Sequence, residues 1–191
     1  MDDPDQYATA VHEAGHAVIG TLVGLTVNTL TVEPTDEFEG LVTWATAYGD
    51  ETLAFLDHDE IEQAVTADVD LAVYFPELDA DIARQDCARY AMTLMAGPRA
   101  EERHTGTFDR DGAAYDLPRI AEATRVFFHR SGDEYDQWEA AVAHYDGPTI
   151  EEYLDDPLVW SWITTVAQTA YYGDGTLTGD EVRALRPADL T

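Results

Sequence analysis

Residues Asp3 to Gly24 constrain the fold more than any other stretch of the chain. Asp3-Pro4-Asp5-Gln6 reads as a helix start: Asp3 is placed to cap, Pro4 stands at the first helical position, and Gln6 can reach back to the cap. Val11, Ala14, Val18 and Leu22 then recur at spacings of three and four, and Gly24 supplies the stop. The spacing predicts one amphipathic helix to about Val23. Within it stands His12-Glu13-Ala14-Gly15-His16. Residues four apart share a helix face, so both imidazoles can reach one metal ion from the same side. Glu13 lies beside them, placed to accept a proton from water on that ion. The bland alternative is two ordinary helix histidines and a solvated acid, and the helical register weighs against it.

After Gly24 the pattern changes. Val27, Thr29 and Thr31 alternate with Asn28, Leu30 and Val32, and beyond an acidic turn Leu41 to Tyr48 is rich in β-branched and aromatic residues. This predicts a two-stranded hairpin with one edge open. The segment at about 50–79 reads as a covering insertion with a helix around Glu60 to Asp70. Asp79 to Met95 is predicted helical, and Gly97-Pro98 either kinks that helix or starts a new one. His104 to Gly112 reads as a polar loop. Further helices are expected over Leu117 to Arg130, Tyr135 to His144, Thr149 to about Ala170 (one or two) and Thr178 to Leu185. The expectation is therefore a single, mainly α domain over 1–191, with a small β-hairpin or sheet beside the His12–His16 helix.

Two imidazoles need a third protein ligand to hold zinc. Ile19 and Leu22 stand where the metzincin continuation needs Gly and His, so that class is excluded. Glu60 or Glu62 would serve in a gluzincin, with His104 and His129 as weaker candidates. Cys87 is the single cysteine, which excludes an intrachain disulfide and a Cys-based zinc site. It reads as a small buried hydrophobe. Trp44, Trp138, Trp160 and Trp162 read as core or interface residues.

Charge narrows the partners. Ten basic residues, all Arg, face 39 acidic ones, for a net charge of −29. Such a surface repels phosphate, so neither nucleic acid nor an anionic membrane is an expected partner. The acid is spread along the chain rather than gathered in a tail, which suggests a protein for concentrated salt, where counter-ions screen the self-repulsion. The start Met1-Asp2-Asp3 lacks the basic residues of a signal peptide, and no apolar run is long enough to span a membrane. A soluble, cytoplasmic protein is expected.

A resemblance sharpens this reading. Tyr7-Ala8-Thr9-Ala10-Val11-His12-Glu13-Ala14-Gly15-His16-Ala17 resembles the active-site helix in the zinc peptidase domain of FtsH-type ATP-dependent proteases. Val27 to Pro34 resembles that family's first strand, and Ala96-Gly97-Pro98-Arg99-Ala100-Glu101-Glu102 is similar to its Gly-Gly-Arg-Ala-Ala-Glu-Glu element. Gly112-Ala113-Ala114-Tyr115-Asp116-Leu117 is similar to its Gly-Ala-x-Asn-Asp-Leu segment, and Thr176-Leu177 with Asp180-Glu181-Val182 to its closing element. The resemblance implies a helical zinc-peptidase fold, Zn2+ as cofactor, His12, His16 and Asp116 as its ligands, and Glu13 as the catalytic base. Tyr115 departs from the family's Asn, Pro98 from its second Gly, and Arg130 to Asp156 shows no match. Asp116 could instead cap the helix that begins at Leu117, with Pro118 just inside it. Arg99 and Glu101 could stand behind the metal ligands as supporting groups, with solvated helix charges as the plainer reading.

The function this implies is zinc-dependent hydrolysis of peptides or unfolded protein segments. No P-loop pattern occurs in these residues, so the family's ATP-driven unfolding is not expected of them. The partners this reading admits are a peptide or unfolded-protein substrate, a separate ATPase, and other copies of the chain by self-association. The rival from another class is a peptidase-like module that has lost turnover and binds a partner protein.

Overall fold

The structure is a computed structural model that describes residues 4–34, 39–45, 80–118, 138–139, 141–143 and 145–190. In chain order the elements are α1 (Pro4–Leu22), β1 (Thr26–Thr31), β2 (Leu41–Ala45), α2 (Ala80–Thr105), α3 (Ile150–Asp155), α4 (Pro157–Tyr172), β3 (Thr176–Thr178) and α5 (Gly179–Ala184). Helix dominates, as expected. The capping role of Asp3, the strand beyond Ala45, the 50–79 insertion and most of the helices expected over Leu117–Arg130 and Tyr135–His144 lie outside the described residues.

α1 is the central element. Every residue from Ala10 to Gly20 is buried, a polar His-Glu pair and His16 included. A helix enclosed on several sides must be packed on several sides: α2 and α4 both lie against it, and β1 contacts it as well. The glycines permit this closeness. A Cβ on Gly15 would stand 2.6 Å from the Ala96 carbonyl oxygen and 2.7 Å from the Ala100 Cβ, so only glycine lets α2 lie this near. Ile19, Met92, Leu94, Met95, Ile163 and Val166 fill the core around α1, each such burial contributing ~1.5–3 kcal/mol. Cys87 is buried among them as expected. The helix ends at Gly24, whose φ of +97° is a conformation that favours glycine.

The hairpin is part of a three-stranded sheet in the order β2-β1-β3, antiparallel throughout. This corrects the two-stranded expectation. β3 pairs with β1 through Leu30 opposite Leu177, and three residues are too short a strand to announce themselves by periodicity. A register shift between Val27 and Thr29 lets Val27 and Leu30, of opposite parity, both be buried. α5 follows β3 directly, and Gly179 sits against the Val27 carbonyl with no room for a side chain. The buried Trp162 indole on α4 donates to the Val182 carbonyl at 2.9 Å, tying α4 to α5.

One further expectation changes. α2 does not break at Gly97-Pro98 but continues to Thr105, so His104 belongs to its last turn rather than to a loop. Proline removes one backbone donor, a local cost that the long packed interface with α1 outweighs. The Thr149–Ala170 stretch is two helices. Asp156 ends α3 and caps α4, its carboxylate accepting from the Leu158 amide at 2.7 Å, with Pro157 at the first helical position. No helix among the described residues is long and apolar enough to cross a membrane.

Candidate metal centre

α1 presents His12 and His16 on one face, with their rings edge to face and centroids 4.8 Å apart. α2 runs along that face and holds both rings by their Nδ1 atoms. His16 Nδ1 donates to the Thr93 carbonyl at 2.7 Å, and His12 Nδ1 lies 2.8 Å from Glu101 Oε2. A ring that donates from Nδ1 keeps its Nε2 lone pair for another partner. Both Nε2 atoms face one group: Asp116 Oδ2 lies 3.2 Å from His12 Nε2 and 3.5 Å from His16 Nε2.

Asp116 reaches this position at the start of a helical stretch, 116–118, that follows the turns at 110–115. Ala113 is buried, and its carbonyl accepts from the amides of both Asp116 and Leu117, closing the turn and directing the carboxylate inward. The side chain therefore lies on the imidazoles, as a ligand would. His12, His16 and Asp116 are each over nine-tenths buried, and one donor atom from each lies within 4.8 Å of the others. Two imidazole nitrogens and a carboxylate oxygen can hold a metal ion and leave coordination positions open.

Glu13 is the fourth member, 7% exposed. Gly40, just before β2, closes over it so tightly that a Cβ there would stand 2.6 Å from Glu13 Cγ and 2.8 Å from Oε1. All four residues line an open cleft of about 450 Å³. Val42 and Trp44 from β2 line it as well, as do Asp109, Asp111 and Tyr115. The Trp44 ring lies 6.2 Å from that of His16. No Arg lines the cleft among the described residues.

The electrostatics of the cluster favour an added cation. Burial lowers the pKa of the His12 imidazolium, but hydrogen bonds to Asp116 and Glu101 and the nearby charge of Glu13 outweigh it and push His12 up to about 10. Burial raises the Glu13 carboxyl above the ordinary range, with the two imidazoles offsetting only part of the effect. Burial would raise Asp116 as well, yet the His16 charge and the hydrogen bonds from both rings hold it well below the usual carboxylate range. Three carboxylates packed around two imidazoles away from water require positive charge, which a proton or a metal ion can supply.

The structure thus brings together His12, Glu13, His16 and Asp116. His104 does not join them: its ring packs edge-on against Tyr7, 5.2 Å between centroids. Glu60, Glu62 and His129 lie outside the described residues. Of the two readings the sequence left for Glu101, the solvated charge gives way: it is the partner of His12. Arg99 also departs from that reading, pairing with Glu102 at 2.6 Å while its guanidinium lies over the Phe108 and Trp138 rings. Sequence reasoning missed the Thr93 carbonyl entirely, since a backbone acceptor leaves no trace in side-chain pattern. No protein-family model and no curated protein matches the chain.

Proposed function

We propose that this chain is a zinc-dependent endopeptidase of the FtsH-like kind, hydrolysing peptides or unfolded protein segments without a motor within these residues. One observation carries the reading: a buried carboxylate, Glu13, stands beside a His12, His16 and Asp116 donor set at the wall of an open cleft. Zn2+, when bound by those three residues, supplies a Lewis acid that acidifies water and polarises a peptide carbonyl. Glu13 takes the proton of the attacking water on its carboxylate and passes it to the leaving amine, a task that a carboxyl raised by burial suits. Glu101 and the Thr93 carbonyl keep both imidazoles turned the same way throughout. The β2 edge away from β1, which pairs with nothing among the described residues, can align an extended substrate backbone. Asp109 and Asp111 on the cleft wall repel acidic segments, so neutral or basic ones are favoured.

The same two-imidazole, one-carboxylate set also suits iron(II) in oxygenases. Glu13 in hydrolytic position favours zinc. The test is metal analysis of the purified chain in molar salt, combined with cleavage of a labelled peptide and of casein. Zinc near one equivalent, with cleavage lost to a chelator and restored by zinc, is the expected result. Iron in place of zinc, or cleavage indifferent to chelation, would defeat the reading. With a net charge of −29, the melting temperature is also expected to climb from dilute buffer into molar salt, and a flat profile would remove the high-salt habitat.

A further inference from the structure

Thr93, Gly97 and Glu101 lie four residues apart on α2 and face His16 and His12, which lie four apart on α1. The outer two hold the rings by hydrogen bonds of 2.7 and 2.8 Å. Gly97, between them, meets the rings themselves. A Cβ at this position would stand 2.6 Å from His12 Cδ2 and 2.6 Å from His16 Cε1, and closer still to His16 Nε2. Cδ2 and Cε1 are the ring carbons bonded to the Nε2 atoms that turn toward Asp116.

We propose that Gly97 is a positioning residue of the metal centre: its missing side chain leaves the space in which both imidazoles present Nε2 to the metal. This rests on the metal-binding reading above. The rings cannot easily yield to a methyl group, because each is tied at Nδ1 and the two are in edge-to-face contact. Gly15 provides the contrast. Its absent Cβ faces the Ala96 carbonyl and the Ala100 side chain, so that glycine serves the approach of the two helices and not the rings. Nor does the local backbone ask for glycine at 97. It is in the interior of α2, where alanine has the higher helix propensity, so a residue that weakens the helix stands where the rings need room.

The experiment compares the full chain with Gly97→Ala in molar salt. Zn2+ affinity is measured by competition with a chelator, and the cobalt(II) absorption spectrum reports ligand geometry. The expected result is a loss of at least ~10-fold in Zn2+ affinity, the scale seen when groups that orient ligands are altered, and a changed cobalt spectrum with helix content retained. Equal affinity and an unchanged spectrum would overturn the proposal while leaving the metal centre standing. A parent chain that binds neither Zn2+ nor cobalt(II) would defeat the metal reading and the proposal with it. If Gly97→Ala folds poorly, it is combined with His12→Ala and His16→Ala. Removing the rings should restore stability, and failure to do so would show that Gly97 serves helix packing alone.

Discussion

The C-terminal region, α3 to α5 with β3, and the α1–α2 centre are built by opposite means. In the former, local rules are obeyed at every helix start. Thr149 and Glu152 exchange side-chain and backbone hydrogen bonds before α3, Asp156 caps α4 ahead of Pro157, and Thr178 and Glu181 repeat the reciprocal box before α5. Its buried side chains, Trp162, Ile163, Val166, Ile150, Leu177 and Val182 among them, are apolar but for one indole N–H that is hydrogen-bonded. In the centre the rules are broken. α2 carries Gly97 and Pro98 in its interior, which cost about 1 and 3 kcal/mol relative to alanine in an ordinary helix. Around it are buried His12, Glu13, His16 and Asp116. Consistent local signals make a region stable, while departures from them are expected where a site is functional or strained.

The comparison breaks most sharply at Asp116. Asp116→Ala leaves two imidazoles, too few for a stable protein zinc site, so zinc content and cleavage should both fall to background while circular dichroism stays helical. Retained zinc would mean that another group, such as Glu60 or Glu62, holds the metal. Trp162→Ala tests the other region. It should lower the unfolding free energy by ~3–5 kcal/mol in a denaturant titration, yet leave the metal content of the folded fraction unchanged. A loss below ~1 kcal/mol would show that stability is not concentrated there. Glu13→Gln separates metal binding from proton transfer within the centre: zinc should remain while kcat falls by at least ~100-fold. Undiminished turnover would remove Glu13 from the mechanism. The smallest effect is expected for Thr178→Ala, about 1 kcal/mol from the lost cap of α5 with unchanged zinc affinity. A weaker zinc site in that variant would show that the two regions are coupled through β1.

Sequence alone determined the features that depend on near neighbours. The α1 helix, its end at Gly24, the placing of His12 and His16 on one face and the starts of the last helices all follow from spacings of one to four residues, the range over which helix geometry and capping act. Asp116 was named through a resemblance, and only the fold brings it to His12, because the two are 104 residues apart in the chain. Sequence offered Glu101 as a supporting group without showing what it would hold. In the structure Glu101 holds His12 and Glu102 pairs with Arg99. The pairing of β3 with β1, the passage of α2 through Pro98 and the need for a bare Cα at Gly97 were likewise decided by tertiary packing. Each of these depends on how closely distant segments approach one another, a distance set by the whole packed core and encoded in no single window of the chain.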